Sequence, residues 1–110
     1  MLALRRRPTA VLCYDDLTAL GLLGGARTAG IAVPGDLSVT GFDDLYIASY
    51  RDPPLTTIRQ PMHEMGARAA EILLGLMRGE VSAKNVTLSG KLVVRDSTAP
   101  PQVLHAVRAR

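Results

Sequence analysis

The sequence predicts an α/β fold built on a mostly parallel sheet, and three observations predict it. Two short apolar runs stop abruptly at paired acids, Asp15-Asp16 and Asp43-Asp44. Two longer stretches carry apolar residues at helical spacing and close on glycine, at Gly30 and Gly79. Strands alternating with helices imply βαβ units, whose parallel strands are covered on both faces and so read as unbroken apolar runs.

The first run, Ala10 to Tyr14, does not alternate and predicts a buried strand. Leu17 to Ala29 follows as a helix, with Asp16 as its expected N-cap and Gly30 at the left-handed position beyond its end. Its glycines, Gly21, Gly24 and Gly25, would let another backbone approach closely. Pro34-Gly35-Asp36 is a turn signature that delivers the chain into a second strand, Ser38 to Phe42. A short stretch to Tyr50 has some helical character, and Asp52-Pro53-Pro54 breaks it. The β-branched content of Leu55 to Gln60 predicts a third strand. Met62 to Arg78 is the clearest helix: Met65, Ala69, Ile72 and Leu76 share a face, and Glu64 with Arg68 is a favourable i,i+4 pair. Lys84 to Ser89 suggests a short extended piece, Lys91 to Arg95 a last strand, and residues 102–110 a frayed tail.

Composition narrows the function. The chain has 110 residues, 47% hydrophobic and 21% charged, with a mean hydropathy of +0.15, enough for one small globular domain or a piece of a larger one. With 4% aromatic residues and no Trp, stacking on single-stranded nucleic acid has little to work with. The net charge of +3 gathers at the ends, in Arg5 to Arg7 and in Arg108 and Arg110, rather than on one element as a nucleic-acid face requires. A single cysteine, Cys13, and no Cys/His cluster at zinc spacing point to a reducing, cytoplasmic setting without a metal. The basic triplet is followed by too short an apolar stretch for a secretion signal, and no run nears the ~20 apolar residues that cross a bilayer. No membrane partner is expected.

In a parallel sheet, ligands bind in the crevice beyond the carboxyl ends of the strands. Asp15 and Asp43 fall there, and on neighbouring strands both would face one crevice. Ionised carboxylates only accept hydrogen bonds, so the pair suits a donor-rich ligand such as a sugar or a base. A structural role for each acid stands beside this reading. Asp44 is read as stabilising the following turn. Cys13, within an apolar run and without a nearby His, reads as a structural thiol. His63 and His105 have no evident catalytic partner, and no dinucleotide, Walker or nucleophile-elbow motif occurs. Neither an enzyme nor a cofactor is expected. Magnesium-dependent phosphoryl transfer is a remote alternative.

The motifs also fall in a specific order. Arg7-Pro8-Thr9-Ala10-Val11, Asp15-Asp16, Ala19-Leu20-Gly21, Ile31-Ala32-Val33-Pro34, Asp36-Leu37-Ser38-Val39 and Gly41-Phe42-Asp43-Asp44 are followed by Pro53-Pro54-Leu55-Thr56-Thr57-Ile58, Gln60-Pro61, Met65-Gly66 and Val93 to Thr98. From about Leu2 to Pro101 this series resembles the LacI/GalR family of bacterial transcriptional regulators. The resemblance implies a partial doubly wound parallel sheet, the C-terminal part of an effector-binding domain with the two-lobe periplasmic-binding-protein type I fold. It implies a crossing between lobes near 57–61, a helix over 62–78 in the other lobe, and a strand over 91–95 that returns. Met1 to Leu4 would end a helix of the larger domain, and the helix-turn-helix that reads operator DNA would lie outside these residues.

Carried over residue by residue, the resemblance makes Asp15, Asp43 and Gln60 the effector-binding groups. Asp15 stands where the family often has Asn, keeping an acceptor and losing a donor. The resemblance implies a homodimer formed through Leu17 to Ala29 and Pro53 to Thr57, with a sugar or related small molecule as effector. A sugar-binding protein of a transport system is the alternative on the same fold. With one wall of the cleft, the 110-residue chain is expected to bind effector weakly or not at all and to self-associate through open sheet edges and apolar surface. Calorimetry and sedimentation test this; a monomer binding a sugar at micromolar affinity would contradict it.

Overall fold

The computed structural model describes residues 7–80 and 85–101. Along the chain lie β1 (Ala10–Leu12), α1 (Asp16–Thr28), β2 (Ser38–Thr40), a 3-10 turn (Tyr46–Tyr50), β3 (Thr57–Arg59), α2 (Met62–Met77) and β4 (Lys91–Val93). The expected elements are present, with each strand shorter than its apolar run. The expected helical ends of Met1 to Leu4, the tail 102–110 and Lys84 lie outside the described residues, and 85–90 forms no regular element.

β1 and β2 are parallel neighbours, with Val11 opposite Val39, and the helix between them makes the expected βαβ unit. Beyond β2 the chain runs beside the 55–60 segment through the parallel bridges Thr40 to Thr56 and Asp43 to Arg59. β3 then pairs antiparallel with β4, Ile58 opposite Leu92. The sheet is therefore mixed, its parallel half carrying the paired acids.

Residues 95–99 close the gap between β2 and the segment before β3. Ser97 is fully buried: its hydroxyl donates to the Val39 carbonyl at 2.6 Å and accepts the Thr56 N–H at 2.8 Å. Its own carbonyl accepts the Val39 N–H at 2.9 Å. A small hydroxyl residue fits where two backbones meet because it donates and accepts at once.

Both helices end as their glycines predict. Gly30 has φ 67° and Gly79 φ 71°. The next N–H bonds back five residues in each case, Ile31 to the Ala26 carbonyl and Glu80 to that of Gly75, both at 2.9 Å. The α1 N-cap differs from expectation. Asp15, not Asp16, has extended backbone and accepts the Thr18 N–H at 2.7 Å, while Asp16 enters the first turn. In α2 the expected Glu64–Arg68 pair gives way to Arg68 and Glu71 at 3.0 Å, one helical turn apart on the solvent side.

The core is formed by Ala19 and Ala26 of α1 with Ile31, Leu37, Val39, Ala48 and Leu55, edged by Val11, Cys13 and Leu23. β1 is not the buried strand predicted: Leu12 is 83% exposed, because α1 covers only one face and no described residue covers the other. In α2 only Gly75 is buried. Met65, Ala69 and Ile72 line a groove of about 580 Å³ with Phe42, Ile58 and Leu88, while Leu73 and Met77 face solvent.

Gly41 and Gly24 make opposite predictions. A Cβ on buried Gly41 would overlap Asp16 Oδ1 and lie 2.9 Å from Leu55 Cδ2, whereas one on Gly24 meets nothing within 4 Å. Gly41→Ala should cost about 2–3 kcal/mol through overpacking, and Gly24→Ala should gain up to about 1 kcal/mol in helix propensity, both read by urea unfolding.

Candidate functional site

Each acid doublet at a strand end divides its labour. In the first, Asp15 is half-buried at the carboxyl end of β1 and caps α1, leaving one carboxylate oxygen beyond the cap bond. Hydrogen bonding from Thr18 holds its carboxyl below the usual 3.8, so it is ionised at neutral pH. Asp16 turns inward and is completely buried. Its Oδ1 accepts the Thr57 hydroxyl at 2.6 Å and its Oδ2 the Leu45 N–H at 2.7 Å. Its own N–H donates to the Phe42 carbonyl at 2.9 Å. One carboxylate thus ties the start of α1 to the turn after β2 and to the first residue of β3, in space left by the missing side chain of Gly41.

The second doublet repeats the pattern on strained backbone. Asp43 has φ 109° and Asp44 φ 56°. Non-glycine residues at positive φ cost on the order of 1–3 kcal/mol where they leave the left-handed basin, and persist only where the surroundings hold them. The Asp43 N–H donates to the Ile58 carbonyl at 2.9 Å. The Asp44 carboxylate, 7% exposed, takes Arg59 Nε on Oδ2 and Arg95 Nη2 on Oδ1, each at 2.6 Å. Arg95 also donates through Nη1 to the Leu55 carbonyl at 2.8 Å. Burial pushes the Asp44 carboxyl up, and the hydrogen bonds and charges of Arg95 and Arg59 outweigh it, holding the group below its usual 3.8.

Of the residues expected to bind effector, Asp43 and Gln60 are in contact: Gln60 Nε2 donates to Asp43 Oδ1. The bridge between Asp43 and Arg59 sets this register, placing Gln60 one residue past the crossing point. Asp15 stands at the carboxyl end of the adjacent parallel strand, bonded to Thr18 rather than to either partner. Gln60 also sits on the rim of the groove along α2. The Asp43–Gln60 pair offers carboxylate and amide oxygens as acceptors, which suits a ligand bearing hydroxyl or N–H donors. Cys13 lies just before Asp15 in the chain, and burial followed by the charge of Asp15 pushes its thiol up, away from the reactive thiolate. Among the described residues no His/Cys/Asp/Glu group could hold a metal ion, and no helix is long and apolar enough to cross a membrane.

Two expectations need correction. Asp44 does more than stabilise a turn: it anchors an ion-paired cluster drawn from β3 and the segment after β4. The stretch Pro53 to Thr57 cannot present its full length to a partner, because Leu55, Thr56 and Thr57 are buried within the chain, leaving Pro53 and Pro54 half-exposed. The outer face of α1 is open, with Leu17 63% exposed and no atom within 4 Å of a Cβ built on Gly21 or Gly24.

The chain is similar to known proteins in sequence and fold. The family described as periplasmic binding protein-like domain matches residues 1–98. The HTH-type transcriptional repressor CytR of Escherichia coli (strain K12) is 43% identical over 99 residues, 89% of this chain and 29% of the repressor. The HTH-type transcriptional repressor PurR of Vibrio vulnificus (strain CMCP6) is 45% identical over 92 residues, 83% of this chain and 28% of that protein. The lac repressor dimer bound to operator and the anti-inducer ONPF superposes with a TM-score of 0.79 at 38% identity, over 84% of this chain and 32% of that one. The chain thus spans about three-tenths of the length of the curated relatives it matches.

The Asp44 cluster predicts a pH dependence. A carboxyl held below its unfolded value of about 3.9 adds stability that is fully present above that value and is lost as pH falls through the lower folded one. Acid unfolding followed by circular dichroism should therefore show stability declining below about pH 4, and Asp44→Asn should flatten that decline while lowering stability at pH 7 by about 3 kcal/mol, the cost of stranding buried guanidinium charge.

Proposed function

Since the chain belongs to the periplasmic binding protein-like domain family, in the branch of the LacI/GalR-type transcriptional regulators, we propose that it supplies one wall of the effector cleft of such a regulator. Asp15, Asp43 and Gln60 contact the effector, a sugar or related small molecule rich in donors. The observation that carries this reading is the Asp43–Gln60 contact at the carboxyl end of the parallel strands, on a turn whose positive φ angles are held by dedicated ion pairs. Strained backbone held by its surroundings clusters at functional sites, which supports a role in aiming a carboxylate.

In the intact regulator, effector binding biases the angle between lobes, and the bias reaches operator DNA through a dimer. Such coupling needs an effector that prefers one lobe arrangement to the other. The residues near 57–61 form the crossing, α2 packs in the opposite lobe and β4 returns. The open face of α1, with Pro53 and Pro54, contributes to the dimer. Operator contact belongs to a helix-turn-helix outside these residues, and the protein works in the cytoplasm without catalysis. The repressor relatives favour regulation over transport.

Amide and side-chain NMR of this chain, titrated with cellobiose and with simple pentoses and hexoses, tests the reading. A few polar contacts from one wall should give millimolar affinity, with shifts confined to Asp15, the 43–45 turn and Gln60, and lost in Asp43→Ala. Shifts centred elsewhere, or saccharide binding untouched by Asp43→Ala, would refute it.

A further inference from the structure

We propose that Asp44 is the positioning residue of the effector wall: paired with Arg59 and Arg95, it holds the 43–44 turn so that the Asp43 carboxylate is aimed at Gln60. The inference rests on the effector-sensing reading above and goes a step further, naming a residue that never touches ligand and sets the geometry of one that does.

The argument begins with the backbone. Asp43 and Asp44 both sit at positive φ, 109° and 56°, and neither is a glycine. Left alone, two such residues would relax toward negative φ and swing the Asp43 carboxylate off the strand end. The turn is held on either side by backbone, the Asp43 N–H on the Ile58 carbonyl at 2.9 Å and the Leu45 N–H on Asp16 Oδ2 at 2.7 Å, and at its centre by Asp44. Its N–H lies 3.4 Å from the Thr57 hydroxyl, a weak bond, while its carboxylate makes two charge-assisted bonds of 2.6 Å. The two arginines come from different places. Arg59 belongs to β3 and is the residue bridged to Asp43 and followed by Gln60. Arg95 lies past the end of β4 and is itself fixed, its N–H on Thr56 Oγ1 at 2.9 Å and its Nη1 on the Leu55 carbonyl at 2.8 Å. One carboxylate therefore fastens the turn to both strands of the antiparallel pair. Any shift of those strands relative to β2 moves Asp44, and Asp43 with it. Because the two guanidinium groups neutralise Asp44, Asp43 is left as the carboxylate of this turn that a ligand can engage.

A local readout separates this role from general support of the fold. In ¹⁵N-resolved spectra the Gln60 side-chain NH₂ reports its bond to Asp43 without any ligand. Asp44→Asn, similar in shape, should move both Gln60 NH₂ resonances to free-glutamine positions while the amides of Val11, Val39 and Ser97 stay dispersed. With cellobiose as the probe, affinity should fall at least tenfold. Arg59→Gln, at a side chain 60% exposed, removes one of the two ion pairs and should shift the Gln60 NH₂ in the same direction by a smaller amount; Arg59→Lys should restore part of it. Should Asp44→Asn lose its dispersed spectrum altogether, the Arg59 series decides alone. Gln60 NH₂ resonances unmoved in folded Asp44→Asn or in Arg59→Gln would overturn the proposal. If the wild-type chain does not bind cellobiose, the ligand-free Gln60 test decides the proposal alone.

Discussion

A carboxylate with no solvent exposure must find donors inside the protein or cost several kcal/mol. Asp16 meets that demand with one hydroxyl and one backbone N–H from two different parts of the chain, and in doing so determines where three segments meet. α1 cannot start, the 43–45 turn cannot close and β3 cannot enter anywhere but around this group. Gly41 follows from it, since a side chain there would occupy the place of the Asp16 oxygen. Thr57 follows too, because an apolar residue of the same shape would leave Oδ1 without its hydroxyl. The strand ends are built outward from this buried anion.

Asp44 plays a parallel part at the second strand end with a different set of partners. Asp16 uses neutral donors; Asp44 uses two guanidinium groups, one largely exposed and one mostly buried. An exposed ion pair contributes little by itself, whereas the pair with Arg95 lies where water screens it poorly. In each doublet one acid turns inward to structural partners, so two adjacent residues of one type serve unlike ends.

Much of this was legible in the residues. Apolar runs ending in acids located β1 and β2 and their carboxyl ends, and Gly30 and Gly79 marked both helix ends, because these features depend on local sterics and on period. The family resemblance grouped Asp15, Asp43 and Gln60, of which the structure joins Asp43 and Gln60. The cap was misassigned by one residue because Asp15 and Asp16 have equal capping propensity, and only the position of Thr57, 41 residues away, decides which of them turns inward. Arg95 and Ser97 carried no local signal, since their partners are remote in sequence. The exposure of β1 was hidden for a related reason: an apolar strand looks the same whether the layer that would cover it is near or far.

Ser97 has a consequence for synthesis. The residues it joins to Val39 are 58 positions apart in the chain, and to Thr56 41 apart. When β1, α1 and β2 have left the ribosome, the seam beside Val39 still lacks its filler, and it stays open for the time needed to translate that interval, seconds at about 5–20 residues per second. The seam beside Val39 is thus completed only when Ser97 has been made.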